Sequence, residues 1–443
     1  MSRSRPFRLR RTGPGRQLAA CASALLAVGL AACGSSSTTG SAAAGGAAAT
    51  AATASSSAVS TTASSPASTP TTAPSTCAST VAGTLGQIAE RIYHVAATGG
   101  DVAEAVHRVQ SSVLLANAID AGNARGADAN LRALLLDQIA GVEIVRDGRV
   151  FASAGSGAAI APIRGSIPGT SASFVLSVQS DHDFVQVAHQ VTGAQIQVSD
   201  PANRWLAGTI YTPPPAAVPD SGPLSYGGLS YEVASLAGTA YPSGAVRVAL
   251  LVPARDISCP GSTAQTRVES LGHAGERIYQ EERSSPDVTA TLRKLEHTPF
   301  FRRAVAERSV PATRAAIEDF FAAHIHVVRV RVSVGGRLLV DVGGPHALAP
   351  VQGTLRLHGR IVGQFEMAIQ DDAGYLKLAH LFTGAEVLMR VGSRQVTGTL
   401  SPGPASVPER GAVSYAGRGY EAYSFTAEAF PSGPLRISLL IPG

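Results

Sequence analysis

The sequence predicts an α+β fold built twice in tandem within 443 residues. Three observations carry this expectation. Residues 79–253 recur in order within 263–443, each copy opens on apolar residues at helical spacing, and each then passes into alternating strands broken by glycine turns. Each unit is therefore expected to be an N-terminal helical segment followed by an antiparallel sheet with one short inserted helix. A unit of about 185 residues suits one core per copy.

The helical part comes first. Leu85-Gly86 and Glu90-Arg91-Ile92-Tyr93 return 186 residues later as Leu271-Gly272 and Glu276-Arg277-Ile278-Tyr279. Leu85, Ile88 and Ile92 fall at i, i+3 and i+7, as do Leu271, Ala274 and Ile278, which places each set on one helix face. Asp101 and Asp287 stand just before the next periodic runs, where a carboxylate can accept the free N–H groups of a helix start. Leu131, Leu134 and Leu135 match Ile317, Phe320 and Phe321, closing the helical set on an apolar face.

Strands follow. From His326 to Val334 the chain alternates, with Val328, Val330, Val332 and Val334 on one face, and Gly335-Gly336 allows a tight turn into Arg337 to Val342. Thr354 to Leu357 pairs with Val362 to Gln370 across His358-Gly359-Arg360. Asp372 to Phe382 switches to helical spacing and stops at Gly384, and two hairpins close the unit, one turning between Tyr415 and Tyr420. In the first copy the corresponding marks are Phe174, Gln179, Asp181, His189, Thr192-Gly193-Ala194 and Leu250-Leu251-Val252-Pro253.

Residues 1–16 hold six arginines, residues 17–32 are small and apolar, and Leu30-Ala31-Ala32-Cys33 follows. This resembles a bacterial lipoprotein signal peptide with its lipobox, spanning residues 1–33, and implies a palmitate-type lipid on Cys33. The apolar segment is short for a spanning helix. Without those arginines the net charge of +5 falls to −1, so the basic balance belongs to the leader and nucleic acid is excluded as a partner. Residues 34–76 carry no charged side chain and read as a flexible Ser/Thr/Ala-rich linker. Of four cysteines, Cys77 and Cys259 remain for the exported body, where they bracket the first unit (77–259) ahead of the second (260–443). A bridge between them and a pair of separate thiols are both open readings.

The hairpin of residues 328–345 and the segment Val-Gly-Gln-Phe-Glu-Met-Ala-Ile-Gln-Asp-Asp-Ala-Gly-Tyr (362–375), behind a long helical segment, resemble the Cache family of extracytoplasmic sensor domains. Those domains are PAS-like, with an antiparallel sheet that cradles a small ligand beneath a helical cap. The resemblance implies two tandem Cache-like domains, clearest over residues 263–443 and extended to the first copy by the repeat. The first copy departs from the second where Ser153-Ala154-Gly155 replaces Asp341-Val342-Gly343.

Polar residues on otherwise apolar strands are the candidates for ligand contact. Arg329 and Arg331 alternate with valines, and an arginine fork suits a carboxylate, although strand alternation favours both facing solvent. Asp341, Gln370, Asp372 and Tyr375 gather where the resemblance places part of a pocket, with Gln179 and Asp181 as the first copy's matches. Asp371-Asp372 opens a helix and reads as a cap, and His189 and His380 read as helix-end residues that hold carbonyls. Asp181-His182-Asp183 and His324-x-His326 lack a third ligand for a metal. No Gly-x-Ser-x-Gly elbow, nucleophilic cysteine or phosphate loop is present.

The expected protein is thus a lipid-anchored sensor or small-solute binder on the extracytoplasmic side of the cell membrane, neither an enzyme nor in need of a cofactor. Its expected partners are a small-molecule ligand, the membrane, and a membrane-bound signalling or transport protein, because the chain holds no output region of its own. A structural or protein-interaction envelope lipoprotein is the alternative, and an envelope hydrolase the weaker one.

Overall fold

The structure, a computed structural model, describes residues 73–135, 139–155, 157–210, 217–324 and 326–443. The expected leader, Cys33 and most of the expected linker lie outside the described residues. The first helix already begins at Ala73, inside the end of the expected linker. Among the described residues no helix is long and apolar enough to cross a membrane.

The first copy runs α1 (Ala73–Thr98), α2 (Gly100–Ser111), α3 (Val113–Asp120), α4 (Ala124–Leu134), β1 (Gly141–Arg146), β2 (Arg149–Gly155), β3 (Ala159–Ile160), β4 (Ile163–Ser166) and β5 (Ser173–Ser177). It continues through α5 (Asp181–Thr192), β6 (Gln195–Ser199), β7 (Trp205–Gly208), β8 (Ser221–Tyr226), β9 (Leu229–Tyr241) and β10 (Gly244–Pro253). The second copy repeats that order. It runs α6 (Thr263–Ser284), α7 (Pro286–His297), α8 (Pro299–Ala306), α9 (Val310–Ala323), β11 (Arg329–Val334), β12 (Arg337–Gly343), β13 (Ala347–Leu348), β14 (Val351–Leu357) and β15 (Arg360–Ala368). It ends with β16 (Gln370–Asp371), α10 (Asp372–Thr383), β17 (Glu386–Val391), β18 (Arg394–Gly398), β19 (Arg410–Tyr415), β20 (Arg418–Phe430) and β21 (Gly433–Pro442).

The fold is α+β as expected, helices first and antiparallel strands after, with one inserted helix per copy. The strands of each copy divide into two sheets. The first has the order β2-β1-β5-β4, repeated as β12-β11-β15-β14. The second has the order β3-β9-β10-β6-β7 with β8 beside β9, repeated as β13-β20-β21-β17-β18 with β19 beside β20 and with β16 added at the edge next to β13. The two-residue strands β3 and β13 carry the chain across, since Ala159 and Ala347 pair with Tyr241 and Phe430 of the long strands.

The expectation of one core per copy does not hold. Each first sheet has its own apolar core under the small helices, with Leu115, Leu131, Ile144 and Phe174 in the first copy and Phe301, Ile317, Val330 and Phe365 in the second. The largest core, however, is common to both copies: Ile88, Ile92, Phe184 and Leu250 pack in one cluster with Leu271, Ile278, Tyr375, Phe382 and Leu439. Helices α1 and α6 bury residues on more than one side, so each faces its own second sheet and also the other copy.

The repeated Glu-Arg-Ile-Tyr now has a physical account. Ile92 and Ile278 sit in the shared core. Tyr93 and Tyr279 accept main-chain N–H groups from Thr239 and Glu428 at 2.9 and 2.8 Å, which fixes each long helix to its long strand. Arg91 and Arg277 cross to the other copy, each lying against the glycine that ends the opposite inserted helix, Gly384 and Gly193. Both glycines have φ near +70° (+68 and +70), a backbone that side-chain-bearing residues adopt at a cost.

The rest of that helix end repeats too. Nδ1 of His189 and His380 lies 2.7 and 2.8 Å from the carbonyl oxygens of Ala194 and Ala385, and the Thr192 and Thr383 hydroxyls donate to Ala188 and Ala379 at 2.5 Å. These histidines hold the turn. At the helix starts, Asp101 and Asp287 sit inside the first turn rather than at the cap, which is Ser285 in the second copy and Gly99 in the first. Cys77 and Cys259 form a disulfide across 182 residues, joining α1 to the approach to α6.

Candidate functional site

In each first sheet the face under the helices is solid. The Phe174 ring lies against Gly165 and the Phe365 ring against Gly353, spaces that any side chain would have occupied, and Phe365 meets Phe301 edge-on at 6.0 Å. These rings fill the parts of that face that they cover. The concavities lie toward the opposite face of the sheet.

In the first copy this is a cleft of about 400 Å³ where the first sheet meets the β9–β10 turn. Glu143 and Val175 come from β1 and β5, Ser153 from β2, and Ser177 from the end of β5, with Tyr241-Pro242 facing them. Strand alternation explains the placement: Val142 and Ile144 turn to the helices, so Glu143 between them turns to the cleft. Glu143 is only 8% exposed, and burial raises its carboxyl above the usual range, with Arg164 acting in the opposite sense. Arg132 of α4 is exposed at the mouth. Neither Glu143 nor Arg132 was among the residues singled out by pattern. The signal was available at the repeat offset of 188, where Glu143 stands opposite Arg331 and Ser153 opposite Asp341.

Of the residues expected at the site, Arg329 and Asp341 do meet, but on each other. Nε and Nη2 of Arg329 donate to the two carboxylate oxygens at 2.8 and 2.7 Å, Nη1 donates to the Gly344 carbonyl, and the guanidinium lies 5.5 Å from the Phe430 ring centre. With every guanidinium nitrogen engaged and 9% exposure, Arg329 is a packed ion pair and not an open fork for a carboxylate. Arg331 is half-buried on the outer face of the same sheet, opposite Asp341 and Glu366, and lines a polar depression of about 300 Å³ with Ser333, Gln352 and Thr354.

Tyr375 is fully buried in the shared core, where its hydroxyl donates to the Gly275 carbonyl at 2.9 Å. It cannot touch a ligand without opening that core. Asp371 caps α10 by accepting from Gly374 at 2.7 Å, while Asp372 accepts from Ala373 and is raised by burial, with His346 opposing. Gln370 is buried with its amide nitrogen unpartnered. In the first copy Gln179 is buried with both amide atoms unpartnered, and Asp181, raised by burial, has one unpartnered oxygen. Neither is among the residues lining the cleft; Gln179 is joined to its wall through the main chain, where Ser177 donates to the Gln179 carbonyl at 2.7 Å.

The histidines of His324-x-His326 are both held below their usual pKa by burial, and Asp183 accepts from the Ser180 hydroxyl at 2.6 Å. Among the described residues no three His, Cys, Asp or Glu side chains converge to hold a metal.

No family model and no curated protein matches this chain. Among solved structures it is similar to the periplasmic domain of Vibrio cholerae LuxQ, at 12% identity and a TM-score of 0.28, over 40% of this chain and all of that one. It is also similar to an extracellular ligand binding receptor from Desulfohalobium retbaense, at 10% identity and a TM-score of 0.26, over 40% of each chain.

Proposed function

We propose that the protein is an extracytoplasmic receptor, tethered through lipid on Cys33, that binds a small solute in the cleft of its first copy and reports it to a membrane partner. The observation that carries this reading is the cleft itself: a concavity of ligand size with a buried carboxylate, hydroxyls and an aromatic ring converging on it. The lipobox, the Ser/Thr/Ala-rich tether and the disulfide support an exported location. The reading assigns binding rather than catalysis.

Thermal shift of the processed chain against amino acids, amines, organic acids and sugars tests it. A ligand at about 100 times its Kd adds about 2.7 kcal/mol of stability and raises Tm in a saturable way. A flat response across the panel overturns the receptor reading. A second reading, a protein-interaction lipoprotein, is favoured by Leu114 and Phe300, which stand at equivalent positions of the two copies and are 68% and 53% exposed.

A further inference from the structure

We propose, resting on the receptor reading above, that the first copy's cleft takes the cationic head of a small organic ligand, a guanidinium or primary ammonium group, where the second copy inserts its own Arg329. The strand registers make the two places equivalent. Gly141 pairs with Gly155 on one side and Ser177 on the other, while Arg329 pairs with Gly343 and Ala368 in the same relation. The chain thus contains one worked example of what this part of the fold holds when filled: a guanidinium seated on a carboxylate, a carbonyl oxygen and an aromatic ring.

The first copy keeps the aromatic position of this seat and omits the occupant. Gly141 has no side chain to fill the space, and the space is open. Tyr241 stands where Phe430 lies beneath Arg329 and presents a ring to the cleft. The acid has changed strand, with Ser153 in place of Asp341 and Glu143 in place of Arg331, so an anion again lies within the cleft. The burial that raises Glu143 is what a bound cation would offset. Arg132 lines the cleft and Arg164, which opposes the raised Glu143 carboxyl, stands beyond Val175; both arginines are exposed, while Glu143 is buried. In the second copy the equivalent of Arg132 is Glu318.

The test is isothermal titration of the processed full chain with L-arginine, agmatine and putrescine, alongside Glu143→Gln and Gly141→Arg variants. At least one of the three is expected to bind saturably. Glu143→Gln is expected to weaken it about tenfold or more through loss of a charge-assisted hydrogen bond. Gly141→Arg, which copies the second unit, is expected to abolish it while circular dichroism stays unchanged; should that variant misfold, Glu143→Gln decides alone. Binding of a neutral or anionic compound that Gly141→Arg blocks, with none of the three cations binding, overturns this inference and leaves the receptor standing. Cation binding that neither variant alters also overturns it, by placing the site elsewhere. If no compound of any charge binds, the receptor reading falls with it.

Discussion

Nη1 of Arg277 donates to the main-chain oxygen of Thr192 at 3.0 Å, so the long helix of the second copy is fastened to the last turn of a helix in the first. A helix C-terminus carries partial negative charge, and a cation there is stabilising. Arg91 makes the reciprocal approach at Gly384, which leaves no room for a Cβ: one built there lies 2.5 Å from Arg91 Nη2. Gly193→Ala and Gly384→Ala are each expected to cost about 1–2 kcal/mol for the left-handed backbone alone, with more from displacing the arginine. Urea unfolding followed by circular dichroism measures this, and a cost near zero at both positions would show that the arginines yield freely.

A second expectation concerns cooperativity. Because the largest core draws on both copies, unfolding of the processed chain is expected to show one transition by both fluorescence and circular dichroism. Two resolved transitions would mean that the copies hold together on their own.

The Arg329–Asp341 pair is expected to be costly to break and cheap to replace. Arg329→Ala leaves a partly buried carboxylate without its partner, a loss of about 2–4 kcal/mol, whereas Arg329→Met with Asp341→Leu is expected to lie within about 1 kcal/mol of the parent. Denaturation midpoints of the three proteins decide it, and equal losses in the single and double variants would contradict the account.

Glu282 of α6 is 2% exposed, with one unpartnered oxygen, and burial with Glu281 beside it raises its carboxyl to about 8. The folded chain therefore holds a proton that the unfolded chain releases near the ordinary carboxylate value. The favourable contribution is fully present below that ordinary value and is lost as pH rises toward 8, by up to about 1.4 kcal/mol per pH unit. Glu282→Gln is expected to flatten this decline, as read by urea midpoints at several pH values; an unchanged slope would place the titration elsewhere.

Removal of the disulfide through Cys77→Ser and Cys259→Ser is expected to cost about 2–5 kcal/mol, chiefly by freeing the unfolded chain. Mass spectrometry without reduction checks that the parent carries the bridge. Free thiols at both positions would remove the basis for the expected loss.

Much of this fold was legible because duplication marks structure twice. The Glu-Arg-Ile-Tyr and Thr-Gly-Ala repeats, the Gly335-Gly336 hairpin and the Gly384 stop all lie where their spacing placed them. The division into two sheets was hidden, because β3 and β13 are only two residues long and leave no alternation to read. The shared core was hidden as well, since an apolar helix face does not say which copy it meets. The cleft was missed for a different reason: reading the repeat for its matches passes over Gly141 opposite Arg329, where the copies differ.

That difference follows from both copies lying in one chain, paired through the reciprocal contacts of Arg91 and Arg277. A two-fold pair assembled from separate identical subunits must present every surface twice, so opening a cleft in one opens it in both. Covalent fusion lifts that obligation. One half can trade an arginine for an open cleft while the other keeps its guanidinium seated on Asp341, so the two copies can diverge in what they hold without either giving up the shared core.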